Sequence, residues 1–273
     1  MVESREFAVA ANENGSTESV RLEVIGQIAR LTLQRPRALN AINVDMIGAL
    51  HRHMSTIEQS ESRVVILTGA GRAFCTGADL KSIQESDGRV HPEGVAAFVH
   101  QISDVVKRLA QLPLPVIGAI NGIAMAGGLE LLLACDLVLA ASGAHIGDAH
   151  ANYGLLPGAG GAVRLPRIVG ATVAKYMMFS GRSWPAEDLV VHGLVNEVVP
   201  ADVLQDRATA LAEELCLRSK LGLATMKRLV DDGLAQPIDT ALRLEAHAHD
   251  AHSHSRDFGE GIAAFRERRQ PKF

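Results

Sequence analysis

The chain has 273 residues, 47% hydrophobic but only 4% aromatic, so one large domain or two small ones can bury a substantial core, packed mainly by Ala, Leu, Val and Ile. The formal net charge is −4 with Lys and Arg scattered rather than striped, which gives no reason to expect nucleic acid, and no apolar run approaches the roughly 20 residues of a membrane span. Three cysteines, Cys75, Cys135 and Cys216, are an odd number and fit a reducing compartment better than a disulfide framework.

Residues 1–18 carry Glu3, Glu6, Glu13 and Glu18 without an apolar core of signal-peptide length, and Gln270–Phe273 does not form a peroxisomal tripeptide. The expectation is a cytoplasmic protein with a loose polar N-terminal tail. Alternation over Val20–Leu33 predicts a strand pair turning at Gly26. Asn43 can cap a helix running to about Ser60, with Met46, Leu50, Met54 and Ile57 at helical spacing. A buried strand is expected over 64–68, an irregular polar loop over Lys81–Gly94, and a helix from about Pro92 to Gln111 with Pro92 in its first turn. Strand 115–120, a helix opening at Gly127 and a third apolar run at 137–141 complete a β–α–β–α alternation, which indicates an α/β architecture with parallel strands. From Gly161 onward the pattern is mainly helical apart from Leu194–Val199. There is no sharp linker and no short repeat.

Two glycine-rich segments follow the first two of those apolar runs: Gly71-Arg72-Ala73-Phe74-Cys75-Thr76-Gly77-Ala78-Asp79-Leu80 and Asn121-Gly122-Ile123-Ala124-Met125-Ala126-Gly127-Gly128-Leu129-Glu130. Small residues after a strand let a ligand approach the backbone, and a helix that follows turns free N–H groups towards it. Two such N–H groups converging from separate segments would form an oxyanion hole.

These two segments resemble the crotonase (enoyl-CoA hydratase/isomerase) superfamily. Further blocks in the expected order extend the resemblance over roughly residues 20–273: Arg35-Pro36-Arg37-Ala38-Leu39-Asn40-Ala41, Gly154-Leu155-Leu156-Pro157-Gly158-Ala159-Gly160-Gly161 and Glu260-Gly261-Ile262-Ala263-Ala264-Phe265. The resemblance implies a spiral of ββα turns over residues 19–200, followed by a helical C-terminal trimerisation region over 201–273 that builds homotrimers or homohexamers. It implies an acyl-CoA thioester as substrate, with CoA as part of that substrate and no separate cofactor, as in the lyases of fatty acid metabolism. By motif position the oxyanion donors are the N–H groups of Ala78 and Gly127. Arg37, Ala38, Asp79, Leu80 and Lys81 border the CoA, the loop residues largely through backbone contacts, while Arg37 and Lys81 can attract its phosphates or serve as solvated surface charges.

Glu130 is the candidate acid/base residue. It lies one helical turn beyond Gly127, and Leu129, Leu131, Leu132 and Leu133 make it a lone carboxylate in an apolar helix. Such a group needs a partner or a raised pKa, and a raised pKa suits proton transfer. Hydratases of the family carry a second Glu eight residues before the Pro-Gly loop, and counting back from Gly158 that slot holds His150. A Glu–His pair can hold a water, with imidazole offering one donor and one acceptor. Enoyl-CoA hydration is the leading expectation. Isomerisation, or CoA-thioester or carbon–carbon hydrolysis using Glu130 and His150, stays open, as does a non-catalytic acyl-CoA-binding paralogue. Ala159 stands where an Asp would strengthen the hydrolase case, and Asp148 and Tyr153 are polar residues without a settled role.

Two other motifs carry less. Thr68-Gly69-Ala70-Gly71 lacks the further glycine of a dinucleotide site. His247, His249, His252 and His254 lie on a helical stretch without the spacing of a zinc enzyme, so no metal is expected and a solvated or subunit-facing helix is. Cys75 and Cys135 read as small packing residues.

Overall fold

The alternation of Val20–Leu33 folds into an antiparallel hairpin, β1 (Val20–Ile25) and β2 (Ile28–Leu33), that reverses at Gly26 with a φ of +59°, a conformation open to a residue without Cβ. This computed structural model describes residues 18–84 and 91–273. Except for Glu18, the expected N-terminal tail lies outside the described residues, as do residues 85–90 of the expected irregular loop.

Helix α1 (Val44–Glu58) starts where Asn43 accepts the Met46 N–H, and it buries Met46, Leu50, Met54 and Ile57 as one stripe. Then come β3 (Val64–Gly69), β4 (Ala73–Cys75), α2 (Pro92–Ala110), β5 (Val116–Ile120), β6 (Ile123–Met125), α3 (Gly127–Leu132), β7 (Leu137–Ala141) and β8 (His145–Gly147). Helices α4 (Gly161–Val169) and α5 (Ala171–Ser180) lead through β9 (Trp184–Pro185) and β10 (Glu197–Val199) to α6 (Leu204–Cys216), α7 (Lys220–Gly233), α8 (Ile238–Ser253) and α9 (Arg256–Glu267).

The larger sheet has the order β1-β2-β3-β5-β7-β10 and is parallel from β2 onward. Every residue of β3 and β5 is buried, as a parallel sheet covered on both faces requires. Val64, Ile66, Ile117, Ala119 and Leu139 pack against Leu204, Ala208 and Ala212 of α6, while Val65, Leu67, Val116 and Ile120 join the larger core with α1 and α2.

A second sheet, β4-β6-β8-β9, was not apparent from the sequence pattern. Strands β4, β6 and β8 have three residues each, too few to show a period of two, and the first two lie inside the glycine-rich segments. Each of β3, β5 and β7 runs on into one of these short strands, so the chain climbs in repeated ββα turns. Both glycine-rich segments are thereby strand-to-strand neighbours, since β4 pairs β6 in parallel.

The C-terminal region is helical. Lys227 of α7 donates to Leu114 O and, at 2.8 Å, to Asp136 Oδ2, which also accepts the Val116 N–H. His249 and His252 of α8 meet Phe258 of α9 edge-on, with ring centroids 6.3 and 6.2 Å apart.

Candidate active site

The two glycine-rich segments pack backbone against backbone. A Cβ on Gly128 would lie 2.0 Å from Cys75 O, and one on Gly122 would lie 2.2 Å from Arg72 O. Only residues without side chains permit that approach. Beside them Ala126 adopts φ +52° and ψ −117°, a conformation that costs a residue with a Cβ about 1–3 kcal/mol and that clusters at functional sites. It turns the chain from β6 into α3 and leaves Gly127 as the first N–H of the helix.

Ala78 stands opposite. Ile42 donates to Gly77 O and accepts from Asp79 N–H, so this parallel bridge passes over the Ala78 N–H. Among the described residues neither Ala78 N–H nor Gly127 N–H donates a hydrogen bond. The positions of Gly77 and Gly127 bring the two together: a Cβ on Gly77 would lie 3.1 Å from Gly127 N. Two unengaged amides side by side are what the chemistry of an oxyanion requires.

Two asparagines hold this wall, and neither was assigned a role from the sequence. Asn40 is fully buried, accepts Arg35 N–H and donates to Ala70 O and Ala73 O at 2.9 and 2.8 Å. Asn121 accepts Gly69 N–H and donates to Gly71 O and Ala73 O. Asn40 has a φ of +54°, a conformation Asn tolerates better than most residues.

The residues expected to border CoA form the outer edge of the wall. Arg37 and Ala38 lie on a short 3-10 turn, and Leu80 and Lys81 begin another. Arg37, Leu80 and Lys81 are exposed, whereas Ala38 and Asp79 are half-buried. The Asp79 carboxylate is 2.8 Å from the Arg35 guanidinium, which also donates to Ala41 O. The side chain of Asp79 thus ties the two edge segments together.

Glu130 is 3% exposed and reaches from α3 to the Pro-Gly loop, where Oε1 accepts the N–H groups of Ala159 and Gly161 at 2.7 and 2.9 Å. Gly161 is a tight fit here, since a Cβ on it would lie 3.0 Å from Pro157 Cβ and 3.3 Å from Glu130 Oε1. Among the described residues Oε2 accepts no hydrogen bond. Burial raises the Glu130 pKa above the ordinary carboxylate range; the two amides and the neighbouring His150 oppose that rise, and Asp148 adds to it.

His150 opens a 3-10 turn (His150–Tyr153) after β8. Asp148 Oδ1 accepts the His150 N–H at 3.2 Å, and Oδ2 lies 3.1 Å from His150 Nδ1, an ion-pair distance at which the two atoms are not aligned as a hydrogen bond. Burial pulls the His150 pKa down, but Asp148 and then Glu130 outweigh it, so the ring titrates above its ordinary range. Asn152 of the same turn donates to Gly181 O and fixes the turn against the end of α5. Tyr153 points away, 81% exposed.

Beside the Pro-Gly loop an apolar groove of about 520 Å³ runs between Val95, Ala96 and Val99 of α2 and Leu155 and Gly158. It does not include Glu130 or His150 in its lining and adjoins them through Gly158, next to Ala159. The thiol of Cys75 is buried and its pKa is pushed up to about 12, and burial also raises that of Cys135, which leaves both as packing groups.

The family model for enoyl-CoA hydratase/isomerase matches residues 23–273. The chain is 35% identical over 257 residues to a short-chain-enoyl-CoA hydratase of Clostridium acetobutylicum, covering 92% of this chain and 96% of that protein. It is also 35% identical over 252 residues to the 1,2-epoxyphenylacetyl-CoA isomerase of Escherichia coli, covering 90% and 94%. The crystal structure of an enoyl-CoA hydratase from Bacillus anthracis superposes with a TM-score of 0.88 at 36% identity, covering 93% of this chain and 98% of the other.

Proposed function

The chain belongs to the enoyl-CoA hydratase/isomerase family, and from that premise we propose that it adds water across the 2,3 double bond of a 2-enoyl-CoA. One observation carries this reading: a buried carboxylate, Glu130, lies on the same wall as two unengaged amides, is held by one oxygen and free at the other, and feels the charge of the His150 imidazole from the neighbouring turn.

The thioester carbonyl oxygen takes the Ala78 and Gly127 N–H groups, and each preorganised donor contributes about 3–4 kcal/mol as negative charge builds there. Glu130 Oε2 takes a proton from water while the water oxygen bonds to C3, and the electrons of the double bond move towards the carbonyl oxygen. The His150 imidazolium gives a proton to C2 as those electrons return. Protonated Glu130 then returns its proton to His150, so the net change is the gain of one water. CoA enters as part of the substrate, bordered by Arg37, Ala38, Asp79, Leu80 and Lys81.

Purified protein with crotonyl-CoA tests this. Hydration removes the ultraviolet absorbance of the conjugated thioester and adds the mass of one water. Isomerisation, which the relationship to the isomerase of Escherichia coli favours as the second reading, leaves mass unchanged, and hydrolysis of the thioester releases free CoA thiol. Tight acyl-CoA binding with no turnover of any kind supports the binding-only paralogue.

We also propose assembly as a homotrimer or homohexamer. No residue of α8 is buried, and Val230, Ile238 and Phe265 on α7–α9 are 62%, 71% and 85% exposed, an apolar surface that an isolated chain leaves in water. Sedimentation at a single-chain mass rules this out.

A further inference from the structure

We infer that Asp148 is the positioning residue for His150, keeping the ring proton on Nδ1 and leaving Nε2 to exchange the proton with substrate; this rests on the reading of His150 as the proton carrier.

Asp148 is 1% exposed at the end of β8. A carboxylate so placed needs a compensating partner. Among the described residues its ion pair is with His150. Both of its oxygens engage that residue, Oδ1 on the main-chain N–H and Oδ2 at 3.1 Å from Nδ1. The intervening Ala149 makes this possible: its φ of +61° folds the chain back so that residues two apart meet with their side chains. A non-glycine residue rarely adopts that conformation unless its surroundings enforce it.

A neutral imidazole has one N–H and one lone pair, and the group facing one nitrogen sets the role of the other. A carboxylate against Nδ1 selects Nδ1–H. Nε2 is then the acceptor of the neutral ring and the acid of the charged one. The 3.1 Å contact is skewed rather than aligned as a hydrogen bond, which does not exclude this role, because catalytic hydrogen bonds are often poorly aligned until substrate fills the site. The charged groups that act on the ring are Asp148 from its own turn and Glu130 from α3, and both favour imidazolium.

Histidine-selective ¹⁵N labelling of the whole protein tests the inference. Because the chain has 11 histidines, the His150 signal is assigned by its loss in His150→Ala. Wild-type protein should show the Nδ1–H form at alkaline pH. Asp148→Asn should lower the His150 midpoint by about one pH unit or more, and Asp148→Glu should restore part of the shift. In turnover, Asp148→Asn should lower kcat by about 10²-fold with KM changed less than about threefold, and cost under about twofold when His150 is already Ala. An Nε2–H form in wild type, an unmoved midpoint in Asp148→Asn, or an equal cost in the His150→Ala background overturns the inference. The wild-type tautomer decides the matter even if Asp148→Asn fails to fold. The titration also stands apart from hydratase activity, so a negative result with crotonyl-CoA and a negative result here are separate failures.

Discussion

The two halves of the site are built by opposite means. The wall that carries Ala78, Gly127 and Glu130 is made by leaving atoms out: Gly128 lets its backbone touch the Cys75 carbonyl, and Gly161 lets the Pro-Gly loop close on the Glu130 carboxylate. The His150 turn is made by putting atoms in: the Asp148 carboxylate grips it from one side and the Asn152 amide ties it to Gly181. A wall of backbone has few ways to relax, whereas a turn held by side chains can lose one contact and keep its path. The first half should therefore fail as a unit and the second by degrees.

Gly128→Ala is the harshest test of that contrast. The new Cβ would sit 2.0 Å from a main-chain oxygen, with no flexible side chain to yield. Pushing the segments apart should destabilise the protein by about 1–3 kcal/mol and, by displacing an oxyanion donor, lower kcat by about 10²–10³-fold or more. Denaturant melts and turnover of crotonyl-CoA read the two effects. A variant with near-native stability and rate would mean that the wall relaxes as easily as the turn.

Glu130→Gln separates chemistry from packing within the wall. Its amide oxygen can still accept from Ala159 and Gly161, so acyl-CoA binding should persist while kcat falls by about 10²–10⁴-fold. Equal loss of binding and rate would sink the catalytic assignment. The pH dependence has a definite sign. Burial raises the Glu130 pKa from 4.5, so the wild type loses stability as pH climbs from the unfolded towards the folded value, and Gln does not titrate. The variant should therefore be at least as stable as wild type near neutrality, and the difference should shrink as pH falls towards the ordinary carboxylate range. A gap that widens on acidification would mean that the carboxylate is stabilised by its setting.

His150→Ala should act more mildly on the fold and lower kcat by about 10²-fold. With imidazolium as the acid, the wild-type rate should decline as pH rises through a midpoint above 6.5, the direction in which Asp148 and Glu130 shift the ring. That alkaline limb should be absent from the variant. A limb that survives unchanged returns His150 to holding the loop.

How much of this was legible follows from the same contrast. Atoms left out are visible in a sequence as glycines, and the strands beside them as short apolar runs: β3, β5 and β7 lie within a residue or two of the expected spans, and Asn43 caps α1 as its residue type suggests. Glu130 stood out as one carboxylate among leucines, but the amides that hold it come from Ala159 and Gly161, some 30 residues on, through a loop path that no local pattern encodes. The grip of Asp148 on His150 depends on the backbone of Ala149, and alanine carries no signal for a positive φ. Asn40 and Asn121 look like ordinary turn residues until their carbonyl partners are in view.

The outer edge offers the smallest expected effect, and it tests whether charge alone forms a third kind of construction. Arg37 and Lys81 are exposed and sit on short turns rather than in a packed wall. Charges in that setting are worth up to about 1 kcal/mol and are screened by salt. Arg37→Ala and Lys81→Ala should each raise KM for acyl-CoA by up to about fivefold at low ionic strength, with kcat unchanged, and the difference should vanish near 0.5 M salt, where the screening length falls to about 4 Å. Asp79→Ala removes a partly buried partner of Arg35 at 2.8 Å, so its effect on KM should persist at that salt concentration because the tie between the two edge segments is gone. Identical salt dependence in all three variants would mean that Asp79 acts only as a surface charge. No effect on KM at low salt for Arg37 and Lys81 would leave them as solvated side chains and the CoA phosphates to the backbone.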